Sequence, residues 1–148
     1  RILNLALFLV LLLPASLKIA VPLSKQENQQ AIEKMFPVAA VDYLKRSGLP
    51  GPIFNSYNWG AYIIWAVYPE YLSFVDGRTD LFNDEILESY VQAWRGEQGW
   101  DRILADWGIQ TVVIEPDAPL SIRLETSGAW REAFSDDQAV IFTRLSAR

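Results

Sequence analysis

Polar side chains that could bind a ligand are concentrated in two short loops between residues 52 and 84. Each loop follows a short apolar run that predicts a buried strand, and ligands bind in open α/β sheets just beyond the carboxyl ends of such strands. We therefore expect the two loops to lie together at one edge of a sheet. The candidate ligand-binding residues are Asn55, Tyr57, Asn58 and Trp59 in the first loop and Asp76, Arg78 and Asp80 in the second.

The second loop combines carboxylates with a guanidinium group. Asp76, Asp80 and Asp84 could supply oxygen ligands to Mg²⁺ or Ca²⁺, and Arg78 could bind a phosphate or a carboxylate through two parallel hydrogen bonds. The plainer interpretation is that Arg78 pairs with Asp76 or Asp80, and that Asn83 or Asp84 caps the next helix. The plainer interpretation is favoured because structural ion pairs outnumber functional sites. The sequence requires no cofactor. A divalent cation is the possible cofactor, because these carboxylates could bind it.

Several kinds of chemistry are excluded by residue types that the chain lacks. It has no His and no Cys in 148 residues, so a Ser-His-Asp triad, a cysteine nucleophile and the usual zinc sites cannot form within it. Neither of the common glycine-rich phosphate loops, G-x-G-x-x-G and G-x-x-x-x-G-K-[ST], occurs. From Ser24 onward there are 11 basic and 18 acidic side chains, a net charge of −7. Since nucleic acids are bound through clustered Lys and Arg, we expect no nucleic-acid partner.

The N-terminal residues 2–23 form an almost continuous apolar run of 22 residues. That length is close to the roughly 20 residues that a helix needs to cross a bilayer, and Leu7–Leu13 is apolar on every face. A signal peptide, a buried core helix and the last transmembrane helix of a larger protein are the three interpretations, and hydropathy favours the last. We therefore predict a transmembrane helix over residues 1–23, a polar linker over 24–30 and a soluble domain over 31–148.

Helix and strand signals alternate through the soluble part. Their order predicts an α/β fold, with a small, mostly parallel sheet flanked by helices and closed by a C-terminal antiparallel hairpin. Trp59, Tyr62 and Trp65 recur on one helix face; core packing is the main interpretation, and a sugar-stacking or membrane-interface face is the alternative. The predicted strands are 53–54, 71–75 and 110–115, the helices 38–46, 60–68, 84–94, 100–107 and 120–127, and the hairpin strands 130–134 and 139–144.

Four stretches carry a resemblance to a known class of membrane protein. They are NSYNWGAYIIW (55–65), FVDGRTDLFNDE (74–85), GWDRILADWGIQTVVIEPDAPL (99–120) and WREAFSDDQAVIFTR (130–144). Together they resemble the C-terminal soluble region of bacterial and archaeal polytopic membrane proteins similar to GT-C glycosyltransferases, a class that includes protein-mannosyltransferase and aminoarabinose-transferase relatives. The motifs N-x-Y-N-W-G-x-Y and D-G-R-x-D are the more specific ones, and Ala61 stands where a second Gly is common.

The resemblance implies a whole protein that transfers a sugar from a polyprenyl-phosphate carrier outside the cytoplasmic membrane. In such enzymes the catalytic acidic residue lies in an early loop between membrane helices, so the resemblance assigns no catalytic residue to this chain. It implies a non-catalytic extracytoplasmic domain, joined to upstream membrane helices and the lipid bilayer, that helps to bind the acceptor or the lipid-linked donor. The alternatives are a carboxylate- and metal-dependent hydrolase or transferase at Asp76, Asp80 and Asp84, and a structural module of a membrane complex.

Overall fold

The structure, a computed structural model, describes residues 24–145 and seven positions before them. The chain divides into two compact units, residues 1–36 and residues 37–148. The predicted transmembrane helix over 1–23 falls mostly outside the described residues. The seven positions of that segment that are described are helical, namely Leu3, Leu7, Phe8, Val10, Leu11, Leu12 and Pro14.

In the first unit, helix α1 spans Lys25–Met35. The hydroxyl of Ser24 caps it by accepting a 3.4 Å hydrogen bond from the Glu27 N–H, as N-cap serines commonly do. Residues 25–30 of the predicted linker are therefore helical. Where the chain is described, no helix is both long and apolar enough to cross a membrane.

The second unit is an α/β domain built on a four-stranded mixed sheet. This confirms the predicted α/β class and the closing hairpin. Short 3₁₀ turns occupy Tyr57–Trp59 and Thr79–Leu81. The helices are α2 (Val38–Ser47), α3 (Gly60–Val67), α4 (Asp84–Trp94), α5 (Trp100–Asp106) and α6 (Pro119–Thr126), and the strands are β1 (Ile53–Asn55), β2 (Thr111–Ile114), β3 (Trp130–Ser135) and β4 (Val140–Arg144).

The sheet has the strand order β1-β2-β4-β3. Strand β1 runs parallel to β2, while β2–β4 and β4–β3 are antiparallel pairs. The prediction of a mostly parallel sheet is therefore wrong, because one strand pair of three is parallel. The parallel pair is nevertheless the one that matters for a site, because it brings the carboxyl ends of β1 and β2 side by side.

The missing parallel strand is the one predicted over residues 71–75, which do not form a strand. The Phe74 N–H and the Val75 carbonyl oxygen bond to the side-chain amide of Asn55, at 2.7 and 2.9 Å, instead of to the backbone of a neighbouring strand. Strand β1 is only three residues long. One side chain at its end therefore fixes the segment that the apolar pattern predicted as a strand.

Both faces of the sheet bury apolar side chains, and successive residues of a strand point to opposite faces. Phe54 and Phe142 belong to a core cluster with residues of α4, α5 and α6, and the Phe54 ring stacks on Tyr90 with centroids 5.3 Å apart. Ile53 and Ile141, at alternate positions of the same strands, are also fully buried but lie outside that cluster. Strands β1 and β4 are thus packed on both faces of the sheet.

Candidate functional site

The two predicted loops meet through a backbone contact at Gly60, the first residue of α3. A methyl group at position 60 would overlap the Val75 carbonyl oxygen and lie 2.7 Å from Asp76 Cα. Only glycine permits this approach, because a Cβ atom has no room there. The two loops are in contact, but the second loop does not follow a strand as predicted. The N-W-G and D-G-R motifs are parts of one packed unit.

Asn55 supplies a second connection between the loops. Its side chain is fully buried. The amide nitrogen donates to the Val75 and Ser56 carbonyl oxygens, each at 2.9 Å, and the amide oxygen accepts from the Phe74 N–H at 2.7 Å. Both amide donors and the oxygen are engaged within the domain, so a ligand that used Asn55 would have to displace these bonds.

Asp76 and Arg78 form a two-pronged ion pair. Arg78 Nε donates to Asp76 Oδ1 at 2.9 Å, and Nη2 donates to Oδ2 at 2.6 Å. The Arg78 backbone N–H also donates to Oδ1, at 2.8 Å. Asp76 is buried, whereas the Arg78 side chain is 63% exposed. The carboxylate therefore fixes a guanidinium group that still faces solvent.

The pair shifts the pKa values of both partners. Hydrogen bonds from the Arg78 side chain lower the pKa of Asp76, and burial of the carboxyl group acts in the opposite direction. The hydrogen bonds and negative charge of Asp76 raise the pKa of Arg78. Each group stabilises the charged form of the other, as expected for a paired carboxylate and guanidinium.

The other predicted ligand-binding residues occupy different environments. Tyr57 is half-buried, and its backbone N–H donates to the Tyr90 hydroxyl at 2.8 Å. Burial raises the pKa of Tyr90, so this hydroxyl is a neutral structural partner. Asn58 and Asp80 are exposed, and Trp59 is buried, with 5% of its surface accessible. Of the two exposed side chains, Asp80 lies two positions from Arg78, whereas Asn58 belongs to the first loop.

The predicted metal ligands are not gathered into one group. Asp76 binds Arg78, and Asp80 and Asp84 are exposed. Asn83, and not Asp84, caps α4, since its side-chain oxygen accepts from the Ile86 N–H at 2.9 Å. Across the residues that the structure describes, no three or more His, Cys, Asp or Glu side chains are placed to hold a metal ion. The metal-dependent hypothesis has no support from these carboxylates.

The three aromatic residues predicted to share one helix side do not form one buried cluster. Trp59 is in the core, and Tyr62 is half-buried with its ring centroid 5.7 Å from that of Trp65. Trp65 itself is 77% exposed. The core interpretation is therefore wrong for Trp65, because that position of the helix faces solvent.

Sequence reasoning missed a pair of side chains at the ends of the two parallel strands. Ser56 follows β1 and Glu115 follows β2, and the Ser56 hydroxyl donates to Glu115 Oε1 at 2.5 Å. The second oxygen, Oε2, is buried and has no hydrogen-bond partner among the described residues. The signal that could have found this pair is positional, because both residues directly follow apolar strands.

A pocket of about 460 Å³ opens beside Glu115 and the turn between β3 and β4. No basic side chain lines it, so it suits hydroxyl or amine donors better than anions. One lining residue is the largely buried Trp59. The lining residues are Trp59, Glu115, Pro116, Asp117, Asp137 and Gln138.

The chain has no match among protein-family models, curated proteins or solved structures.

Proposed function

We propose that this chain is the non-catalytic, extracytoplasmic C-terminal part of a membrane protein similar to polyprenyl-phosphate-sugar-dependent glycosyltransferases. Its α/β domain helps to bind the lipid-linked donor or the acceptor, and the reaction itself belongs to upstream membrane segments. The proposal rests on the resemblance of the sequence motifs and on the observation that Arg78 is both fixed and exposed.

The way in which the motifs pack supports a shared role. Asn55 and Gly60, from the first motif, contact Val75 and Asp76, from the second. Most of their polar groups stabilise the domain, and the exposed polar side chains include Asn58, Asp80 and the cationic Arg78. The two motifs together therefore hold the cationic Arg78 side chain at the surface of the domain.

A fixed guanidinium suits a phosphate ligand. Arg78 uses Nε and one Nη2 hydrogen on Asp76, and guanidinium groups carry further N–H donors in the same plane. Because Asp76 restrains the side chain, less rotamer entropy is lost when an anion binds. The phosphate of a polyprenyl-phosphate carrier is the anion that this function requires.

The test is binding of a short-chain polyprenyl phosphate to the full 148-residue chain in detergent micelles, with the uncharged polyprenol of the same length as reference. We expect the phosphate to bind more tightly than the alcohol, and Arg78→Gln to weaken phosphate binding about tenfold, the scale of a lost charge-assisted hydrogen bond. Arg78→Lys keeps the charge without the planar fork and should fall between the two.

Arg95→Gln is the matched control, because Arg95 is 61% exposed and also pairs with a carboxylate, that of Glu97 at 3.6 Å. Its replacement should leave phosphate binding unchanged. Equal affinity for the phosphate and the alcohol, or a folded Arg78→Gln variant that binds as the parent does, contradicts the proposal.

A further inference from the structure

Helix α3 has no charged side chain, yet it lies at the surface of its domain. Its sequence is GAYIIWAV. Gly60, Ile63 and Val67 are buried against the domain. A helix at a protein surface normally carries polar residues on its outer side, and a helix that is apolar all round is normally buried or in contact with lipid.

The outer side of α3 carries large aromatic residues. Trp65 is 77% exposed, and Tyr68, which follows three residues later at the end of the helix, is 64% exposed. Residues three or four apart share one side of a helix, so Ala61, also exposed, lies on the same side as Trp65. We call Ala61, Trp65 and Tyr68 the aromatic face.

The residue types of the aromatic face indicate what covers it. Trp and Tyr combine an apolar ring with a polar N–H or O–H tip, and they are enriched where a bilayer meets water. Trp and Tyr are also common in the cores of protein–protein interfaces, and the half-buried Ile64 lies beside them on the helix. The composition fits the headgroup region of a membrane, and the place of the domain in the chain favours that occupant over a second protein.

The place of the domain in the chain also supports contact with a membrane. The apolar run over residues 2–23 ends one residue before Ser24, and α1 then covers 11 residues. A helix of that length is about 16 Å long. A domain that begins at Pro37 is therefore tethered close to the surface of any bilayer that holds the run.

We propose that the aromatic face of α3 inserts into the headgroup region of the membrane and orients the domain on the bilayer. This inference rests on the proposed function, because it requires residues 2–23 to be held in the membrane. The net charge of −7 from Ser24 onward disfavours attraction to anionic lipid. The contact is accordingly with the apolar and interfacial part of the bilayer and does not need negative headgroups.

The absence of cysteine from the chain permits a single label. Two variants of the full chain each carry one nitroxide and are reconstituted into phosphatidylcholine vesicles. Ala61→Cys places the label in the aromatic face, and Ala105→Cys places it at an exposed position of α5. Spin relaxation by oxygen, which concentrates in lipid, is compared with relaxation by a water-soluble nickel chelate. We expect the ratio of oxygen to nickel relaxation to be several-fold higher at position 61 than at position 105.

Flotation of the vesicles on a density gradient separates failure of this inference from failure of the proposed function. If the chain floats and position 61 is as exposed to the nickel chelate as position 105, the membrane tether stands and the inference is overturned. Close dipolar coupling between labels at position 61 assigns the face to a second copy of the chain and also overturns it. A chain that does not float contradicts both proposals.

Discussion

The side-chain amide of Asn55 makes the hydrogen bonds to Phe74 and Val75 that a neighbouring strand would otherwise make. It donates to the Val75 carbonyl oxygen at 2.9 Å and accepts from the Phe74 N–H at 2.7 Å. Residues 74 and 75 are thereby fixed without strand pairing. Asp76, the next residue, is the buried anchor of Arg78. The orientation of the one exposed cation in the candidate site thus depends on a buried amide.

Replacing Asn55 should destabilise the domain. Asn55→Ala removes three hydrogen bonds and leaves the Phe74 N–H and the Val75 carbonyl oxygen without them, so we expect the free energy of unfolding to fall by about 2–4 kcal/mol. Urea denaturation followed by circular dichroism measures it. Asn58→Ala, at an exposed position three residues later, should change the value by no more than about 0.5 kcal/mol; similar losses for both variants would contradict the assigned role of Asn55.

The contact between Gly60 and the second loop should tolerate no side chain. In Gly60→Ala the added methyl group overlaps the Val75 carbonyl oxygen, and we expect a loss of about 3 kcal/mol or more in the free energy of unfolding. Gly77→Ala is the matched control, because nothing lies within 4 Å of a Cβ atom there. A Gly60→Ala variant with the thermal midpoint of the parent would show that α3 and the loop are not in contact.

The Asp76–Arg78 pair should contribute stability that disappears in acid. The pKa of Asp76 is lowered from its ordinary value of 3.8 in the folded chain, so the unfolded chain binds the proton more readily. Stability from this pair is therefore fully present above about pH 4 and is lost as the pH falls through the folded-state pKa. In Asp76→Asn the free energy of unfolding should depend less on pH below pH 4, whereas Asp137→Asn, in the exposed hairpin turn, should keep the slope of the parent.

The Ser56–Glu115 hydrogen bond should appear as a coupling between the two strand ends. In a double-mutant cycle of Ser56→Ala and Glu115→Gln, the 2.5 Å bond predicts a coupling free energy of about 1–3 kcal/mol. Chemical denaturation of the parent, both single variants and the double variant supplies the cycle. Strictly additive effects would mean that the bond does not form in solution.

Local patterns were sufficient to predict most elements. The periodicity of α4 with a polar cap before it, the apolar run of β2 and the polar turn between β3 and β4 are encoded in neighbouring residues, and the structure has each of them. The segment 71–75 has an equally strong strand pattern. It is not a strand, because its partner is a side chain, and apolar periodicity carries no information about that.

The candidate site was harder to predict than the fold. The pairing of Arg78 with Asp76 follows from residues two positions apart, and it was expected. Ser56 and Glu115 are 59 positions apart, and they meet because β1 lies beside β2, a neighbourhood that sequence spacing does not reveal. The exposure of Trp65 likewise depends on which side of α3 faces the interior of the domain.

The strand order also has a consequence for synthesis of the chain on the ribosome. Strand β2 is bordered by residues 53–55 on one side and by residues 140–144 on the other. Until β4 has emerged, one edge of the apolar β2 strand has no partner, and unpaired strand edges promote aggregation. A nascent chain that stalls within the hairpin therefore exposes an unpaired strand edge that chaperones and proteases can bind, and the sheet is complete only after β4 has been synthesised.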